Sequence, residues 1–447
     1  MDNQTVLARG LGYVPGIARG VLRRGVAVPA DAIALITQEQ IGALAQAPAG
    51  IIVMDGAPFS HQAIALLGLG VPAVIVGRAE AAACHDGLEV VIDGHRGTVT
   101  TAAGNAALAG RALMLPHAGQ CIMTPDGVAV ELRASVRSVA AAQKARALGA
   151  TAIGLVRTEF FEPADGRCPD SDYYTRGFTA LCAAAAPLSV TFRLLDIATD
   201  KLPAWVPRGL AMPGALGLQG VRLFGQTVIA DVVRAQLAVI GQLSRSYPVS
   251  ILLPYLVRHE ELRHWMLRVR AQVPADIPIG AMVETPAGAL DLEHWFDQAD
   301  FIAVGCNDLM QCLFAADRDQ ADVRAYLDPY APVLYRLFKE MAQRAGEHIA
   351  QIQLCGVLSQ LHGVLPILLG LGYRRFSVDA AQIPYLAETV RGTTRKTAET
   401  LAQAVCAACD SADVLERLHI TSTNYQPFLA GNDLSGWCRI NHAVPRR

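Results

Sequence analysis

From about residue 121 the chain settles into a rhythm in which short apolar runs alternate with helical stretches. The runs cover 128–134, 152–157, 189–196, 249–256, 278–284, 301–305, 352–356 and 374–379. Strands that alternate with helices build a parallel sheet, and eight is the number that closes a β/α barrel. An open, doubly wound sheet is the competing arrangement, but no Gly-rich fingerprint follows the first run. The spacing therefore predicts an α/β chain whose residues 121–410 form a C-terminal (β/α)8 barrel.

The first hundred residues read differently. Apolar runs at 51–54, 71–76 and 89–94 are split by Gly and Pro turns, and a helix capped by Ser60 is predicted to begin at His61. These predict a small β/α domain over 1–103, an Ala-rich linker over 104–120, and an extension of unassigned role over 411–447. A chain of 447 residues exceeds one ordinary domain. Apolar residues make up 52% but aromatics only 6%, so the core is aliphatic, as buried parallel strands prefer.

Charge excludes several partners. Lys and Arg number 38 against 40 Asp and Glu, a net charge of -2, which gives no electrostatic case for nucleic acid or an anionic membrane. No uninterrupted apolar stretch reaches the roughly 18 residues of a membrane span, and the start Met1-Asp2-Asn3-Gln4-Thr5 lacks the order of a secretory signal. Ten scattered cysteines fit reduced thiols and a cytoplasmic location. The one close pair, Cys406 and Cys409, could be half a zinc or redox motif, but falls in an Ala-rich helical pattern over 401–418, where Cys acts as a small apolar residue.

Polar residues gather at the carboxyl ends of the eight runs: Arg157, Arg193, Asp196, Glu284, Asn307, Asp308, Cys355, Ser377 and Asp379. In a barrel those ends share the face that carries active sites. Arg157, Arg193, Arg222, Arg318 and Lys201 together point to a small polyanion, although any single Arg is as readily a surface or ion-pairing residue. Glu284 and Asp308 end consecutive runs and suit a hard cation such as magnesium, the alternative being that they pair with the arginines alone. Cys355 is a candidate nucleophile or proton donor, or else a buried core residue. His61 opens a predicted helix and is a candidate phosphoryl acceptor, or a helix-start His without chemistry. No Walker-type loop and no His-Glu-x-x-His motif occurs, and Gly68-Leu69-Gly70 is only a Gly pair in a turn.

With these residues in place, the chain resembles the phosphoenolpyruvate-utilising enzymes. Enzyme I of the bacterial sugar phosphotransferase system is the nearest likeness, with phosphoenolpyruvate synthase and pyruvate phosphate dikinase more distant. The resemblance covers about 8–410 and rests on five motifs. They are Gly154-Leu155-Val156-Arg157-Thr158-Glu159-Phe160, Arg193-Leu194-Leu195-Asp196 with Asp200-Lys201, Met282-Val283-Glu284-Thr285-Pro286-Ala287, Asn307-Asp308-Leu309 through Asp317-Arg318, and Leu354-Cys355-Gly356. The front segment, Ser60-His61-Gln62-Ala63-Ile64 with Gly70-Val71-Pro72-Ala73-Val74, looks like the family's swivelling phosphohistidine domain.

The resemblance implies phosphoryl transfer from phosphoenolpyruvate to His61 with release of pyruvate, and onward transfer to an unidentified protein or small molecule. It implies substrate binding by Arg157, Arg193, Arg318 and Asn307, Lys201 near the phosphate, and Arg222 kept in its motif. It further implies Mg2+ on Glu284 and Asp308, Cys355 as the proton donor to the enolate, and a homodimer. Four departures stand out. Phe59 replaces a usual Thr, Gln219 an expected Arg and Val357 a usual Glu, and no room is expected for the helical carrier-docking domain. Losing one charged contact to a transition state costs roughly 2–4 kcal/mol. The departures motivate a rival reading, a non-catalytic paralogue that binds phosphoenolpyruvate or pyruvate. A second rival is half of a split synthase or dikinase whose ATP-binding subunit is separate.

Overall fold

The computed structural model describes residues 5–102, 113–197, 202–207, 216–320, 322–323 and 326–420. The front sheet holds β1 (Val6–Arg9), β2 (Leu11–Val14), β3 (Ile17–Arg24), β4 (Ile33–Thr37), β5 (Gly50–Met54), β6 (Ala73–Val76), β7 (Glu89–Asp93) and β8 (Thr98–Thr101), with α1 (His61–Leu69) between β5 and β6. Its order is β1-β8-β7-β3-β4-β5-β6-β2. The three apolar runs coincide with β5, β6 and β7. Of the other five strands, β1, β2, β3 and β8 are short or half exposed, and β3, Ile-Ala-Arg-Gly-Val-Leu-Arg-Arg, buries only Ala18 and Leu22; β4, Ile-Ala-Leu-Ile-Thr, is as long and as buried as β5 and went unread.

After a short hairpin strand β9 (Ile122–Met123) the barrel begins with β10 (Ala129–Val136) and α2 (Val139–Ala147). It continues through β11 (Ile153–Arg157), α3 (Ser171–Ala185), β12 (Val190–Arg193), α4 (Thr227–Leu243), β13 (Val249–Leu256) and α5 (His259–Arg270). Next come β14 (Ile279–Val283), α6 (Pro286–Leu290), β15 (Phe301–Gly305), α7 (Cys306–Leu313) and α8 (Pro332–Ala345). β16 (Ile352–Cys355), α9 (Val364–Gly370), β17 (Arg375–Val378) and α10 (Ile383–Gly392) complete it. Each of the eight runs overlaps one strand from β10 to β17. Every neighbouring pair is parallel, and β10 pairs with both β11 and β17, so the sheet closes. The open-sheet alternative is thereby excluded.

Alternation along β10 shows how the barrel is filled. Val130, Leu132, Ala134 and Val136 are fully or almost fully buried, as expected for side chains that face the surrounding helices. Glu131, Arg133 and Ser135 occupy the other face. There Glu131 pairs with Arg133 (2.5 Å) and Arg375 (3.0 Å), and Ser135 meets Ser377 at 2.9 Å.

The helical pattern over 401–418 is two helices rather than one. α11 (Arg395–Ala407) stops before Cys409, and α12 (Ser411–Arg417) is restarted by Asp410, whose side chain accepts from the Asp413 amide. Cys406 donates its thiol to the Tyr335 carbonyl. Among the described residues no helix is long and apolar enough to cross a membrane.

Candidate active site

The carboxyl ends of the barrel strands and the start of α1 enclose a cavity of about 300 Å³. Eleven of the polar residues singled out from the sequence border it: His61, Arg157, Arg193, Asp196, Glu284, Asn307, Asp308, Arg318, Cys355, Ser377 and Asp379. Arg222 does not. Its guanidinium lies 5.4 Å from the Tyr255 ring centroid and donates to the Gly217 carbonyl, which holds it away from the cavity wall. Lys201, with Asp200, lies outside the described residues, as does the chain from 421 onward.

The arginines are organised by carboxylates. Glu159, 4% exposed, accepts from Arg157 at 3.0 Å and from Arg193 at 2.5 Å, while Asp196 takes Arg193 at 2.8 Å. Burial alone would favour a neutral Arg193, but Asp196, Glu159, Glu284 and Asp308 overcome it and hold the guanidinium firmly charged. Thr158, also buried, donates to the Arg193 carbonyl at 2.7 Å and so ties the ends of β11 and β12 together.

Glu284 is 1% exposed and its Oε1 has no hydrogen-bond partner among the described residues. Burial, then the nearby Asp308 and Asp196, push its carboxyl well above the usual range despite Arg193 and Arg318. Asp308 pairs with Arg318 at 3.2 Å. A buried carboxylate oxygen without a partner, beside a second carboxylate, is a donor set that a hard divalent cation satisfies and a protein donor here does not. Glycine is needed at 305, since an added Cβ would lie 2.6 Å from Glu284 Cγ.

His61 is presented by α1. Ser60 caps the helix by accepting from the Ala63 amide at 3.1 Å, and its own hydroxyl donates to the Ala57 carbonyl. The ring is held from both sides: Nδ1 lies 2.8 Å from Asp319 Oδ2, and Nε2 lies 2.8 Å from Arg318 Nη2. Guanidinium can only donate and carboxylate only accept. Nε2 must therefore carry a lone pair and Nδ1 the proton, so the nitrogen on the arginine side is the nucleophilic one.

Cys355 is 2% exposed, and Gln353 Nε2 donates to its sulfur at 3.2 Å. Burial raises the thiol to about 11, against the lowering effects of Gln353 and Arg193. It is protonated at neutral pH and suits a proton donor better than a nucleophile. Asn307 Oδ1 accepts from the Val357 backbone amide at 3.1 Å, and Gly356 (φ +110) gives it room.

Phe59, Gln219 and Val357 are each accommodated. Phe59 and Val357 are buried, and Gln219 hydrogen-bonds Tyr255.

Five contributors went unrecognised in the sequence. Glu159 was visible only as a letter within a motif. Gln353 sits on a strand interior, where no end-of-strand signal exists. Arg137, just past β10, and Lys144 of α2 border the cavity, and Arg137 donates to the Ala65 carbonyl of α1. Asp319 follows Arg318 directly, and only the docked His61 reveals its use.

Comparison with known proteins places these residues in context. Residues 116–395 match the family model described as PEP-utilising enzyme, PEP-binding domain, and residues 33–97 match PEP-utilising enzyme, mobile domain. The chain is 28% identical over 388 residues to the multiphosphoryl transfer protein of Xanthomonas campestris pv. campestris, covering 83% of this chain and 46% of that protein. It is 26% identical over 381 residues to the phosphoenolpyruvate-protein phosphotransferase of Bacillus subtilis (80% and 66% covered). It is 30% identical over 374 residues to the protein of the same name from Streptomyces coelicolor (81% and 66%). The chain thus spans between about half and two thirds of the length of these relatives.

Proposed function

The chain belongs to the PEP-utilising enzyme family, and on that premise we propose that it transfers the phosphoryl group of phosphoenolpyruvate to His61 and releases pyruvate. The observation that carries this reading is the unprotonated Nε2 of His61, which accepts from Arg318 at the rim of the cavity that also contains Cys355 and Arg193. Arg157, Arg193, Arg318 and Asn307 bind the phosphate and carboxylate of the substrate; a role for Lys201, outside the described residues, rests on the family resemblance alone. Arg222 acts through Tyr255 rather than on the substrate.

His61 Nε2 attacks phosphorus in line. The N–P bond forms as the P–O bond to the enol oxygen breaks, and that electron pair departs with the enolate. C3 of the enolate then takes the Cys355 thiol proton to give pyruvate, and water returns a proton to the sulfur. Glu284 and Asp308 would hold magnesium, which when bound supplies positive charge against the phosphate and enolate oxygens. The arginines contribute the same kind of stabilisation, which is where most of the catalysis of phosphoryl transfer lies.

The phosphoryl group passes onward to a protein or a small molecule; the name phosphotransferase carried by the relatives supports a protein acceptor. A cytoplasmic setting is supported by the free thiols of all nine described cysteines, and a homodimer by the family resemblance. Incubation with phosphorus-labelled phosphoenolpyruvate and magnesium tests the reading. An acid-labile, base-stable adduct is expected on the wild type and none on His61→Ala. Tight phosphoenolpyruvate binding without adduct or pyruvate would replace it with the non-catalytic, ligand-binding alternative.

A further inference from the structure

Away from the cavity, two histidines converge on one carboxylate. His259 opens α5, Asp291 follows α6, and His294 lies in the 3-10 turn Leu292–Trp295. Asp291 Oδ2 is 2.7 Å from His259 Nδ1, and its Oδ1 is 2.7 Å from His294 Nδ1. The imidazole rings lie 5.3 Å apart with an interplanar angle of 36°. Among the described residues this is the one group of three whose potential ligand atoms all fall within 4.8 Å of one another.

We propose that His259, Asp291 and His294 form a binding site for a divalent transition metal of the zinc class, separate from the magnesium-type carboxylates of the active site. Three observations support it. The donors are two imidazoles and one carboxylate, a set that favours zinc, cobalt, nickel or copper over the all-oxygen preferences of magnesium and calcium. All three side chains are partly exposed, so an ion reaches them from solvent and keeps water in its remaining positions. A partner for the outer shell is also present: Glu260 Oε1 lies 3.8 Å from His259 Nε2. A neutral imidazole that gives its Nδ1 lone pair to a metal carries its proton on Nε2, where an outer carboxylate fixes the ring.

Binding shifts each imidazole from the Nδ1–H to the Nε2–H tautomer and releases no proton from either. The ion replaces two hydrogen bonds to Asp291 with metal–ligand bonds. It thereby fastens the start of α5 to the turn beyond β14, the strand that leads into Glu284.

Calorimetric titration with zinc chloride, in saturating magnesium, is the test, paired with cobalt(II) absorption. One equivalent per chain is expected, with cobalt d–d bands of nitrogen and oxygen ligation and no intense thiolate charge-transfer band. His294→Gln, Asp291→Asn and His259→Gln should each weaken binding at least tenfold. His294 is more than half exposed, so its variant keeps the fold and keeps the comparison fair. Absence of binding, unchanged affinity in the three variants, or a thiolate band that places the ion on cysteines would each overturn the assignment.

Discussion

Asp319 grips His61 at two points, with Oδ2 at 2.8 Å from the ring Nδ1 and Oδ1 accepting the backbone amide at 3.2 Å. One carboxylate from the barrel thus sets both the tautomer of the ring and the position of the first turn of α1. Hydrogen bonds from the ring and the backbone amide of His61, with the nearby charge of Arg318, hold Asp319 down at about 2 in spite of its burial.

Asp319→Ala should therefore slow phosphohistidine formation without removing the nucleophile. A hydrogen bond to a charged group is worth about 1.5–3 kcal/mol when buried. Asp319 is one third exposed, so the lower end applies and the loss is about tenfold. Because the folded value is depressed, the contact is fully present above the ordinary 3.8 and is lost as pH falls toward about 2. Rapid-quench measurement of adduct formation should show a wild-type-to-variant ratio that is constant between pH 5 and 8; a ratio that varies with pH there would contradict this.

Cys355→Ala should separate phosphoryl transfer from proton transfer. The adduct on His61 is still expected to form, while pyruvate made from stereospecifically deuterated phosphoenolpyruvate in tritiated water loses the chirality of its methyl group. Retention of stereospecific labelling would assign the proton to another donor. For the wild type the folded thiol lies above its ordinary value of 9.0, at about 11. Its contribution to stability is present below 9 and is lost as pH rises through about 11. Alkylation of Cys355 by iodoacetamide should accordingly lag behind that of exposed Cys121 and Cys168 throughout pH 7–9.

Glu284→Gln should make the cation-free protein more stable, by about 1–3 kcal/mol, because it removes a buried charge with an unmatched oxygen. The raised carboxyl means that the cation-free fold loses stability as pH climbs through the folded value. Added magnesium should raise the melting temperature of the wild type, and chelation should reverse it. The variant should show no magnesium-dependent shift in calorimetric scans.

Gly68→Ala should loosen the front domain from the barrel. The guanidinium of Arg137 fills the space that a methyl group would take there. Faster amide exchange along α1 is expected in Gly68→Ala and in Arg137→Ala, with barrel strands unchanged; wild-type exchange in both would show that this contact does not hold the docked pose.

Much of the barrel was legible because its strands are buried on both faces and so read as continuous apolar runs, of which 249–256 and 301–305 coincide with β13 and β15 to the residue. The end-of-strand rule then exposed Arg157, Arg193, Glu284 and Cys355 together. It failed at Arg137, because β10 runs two residues past the apolar stretch that marked it. The apolar run of β4 was there to be read, whereas hydropathy could not show β1, β2 and β3, which are short or half exposed. Nor could it show Asp319, since its significance lies 258 residues away, at His61.

The barrel surrounds α1 with charges that oppose its helix dipole, Asp319 at the amino end and Arg137 and Lys144 toward the carboxyl end. A phosphoryl group on Nε2 adds roughly two negative charges on the side of the ring that faces Arg318, opposite Asp319. The reaction thus changes the adhesion of the surface on which it takes place: the product gains an ion pair with a guanidinium that the neutral ring only hydrogen-bonds. Solution scattering should show a chain no more extended after phosphorylation than before, and added salt should loosen the phosphorylated form more than the unmodified one.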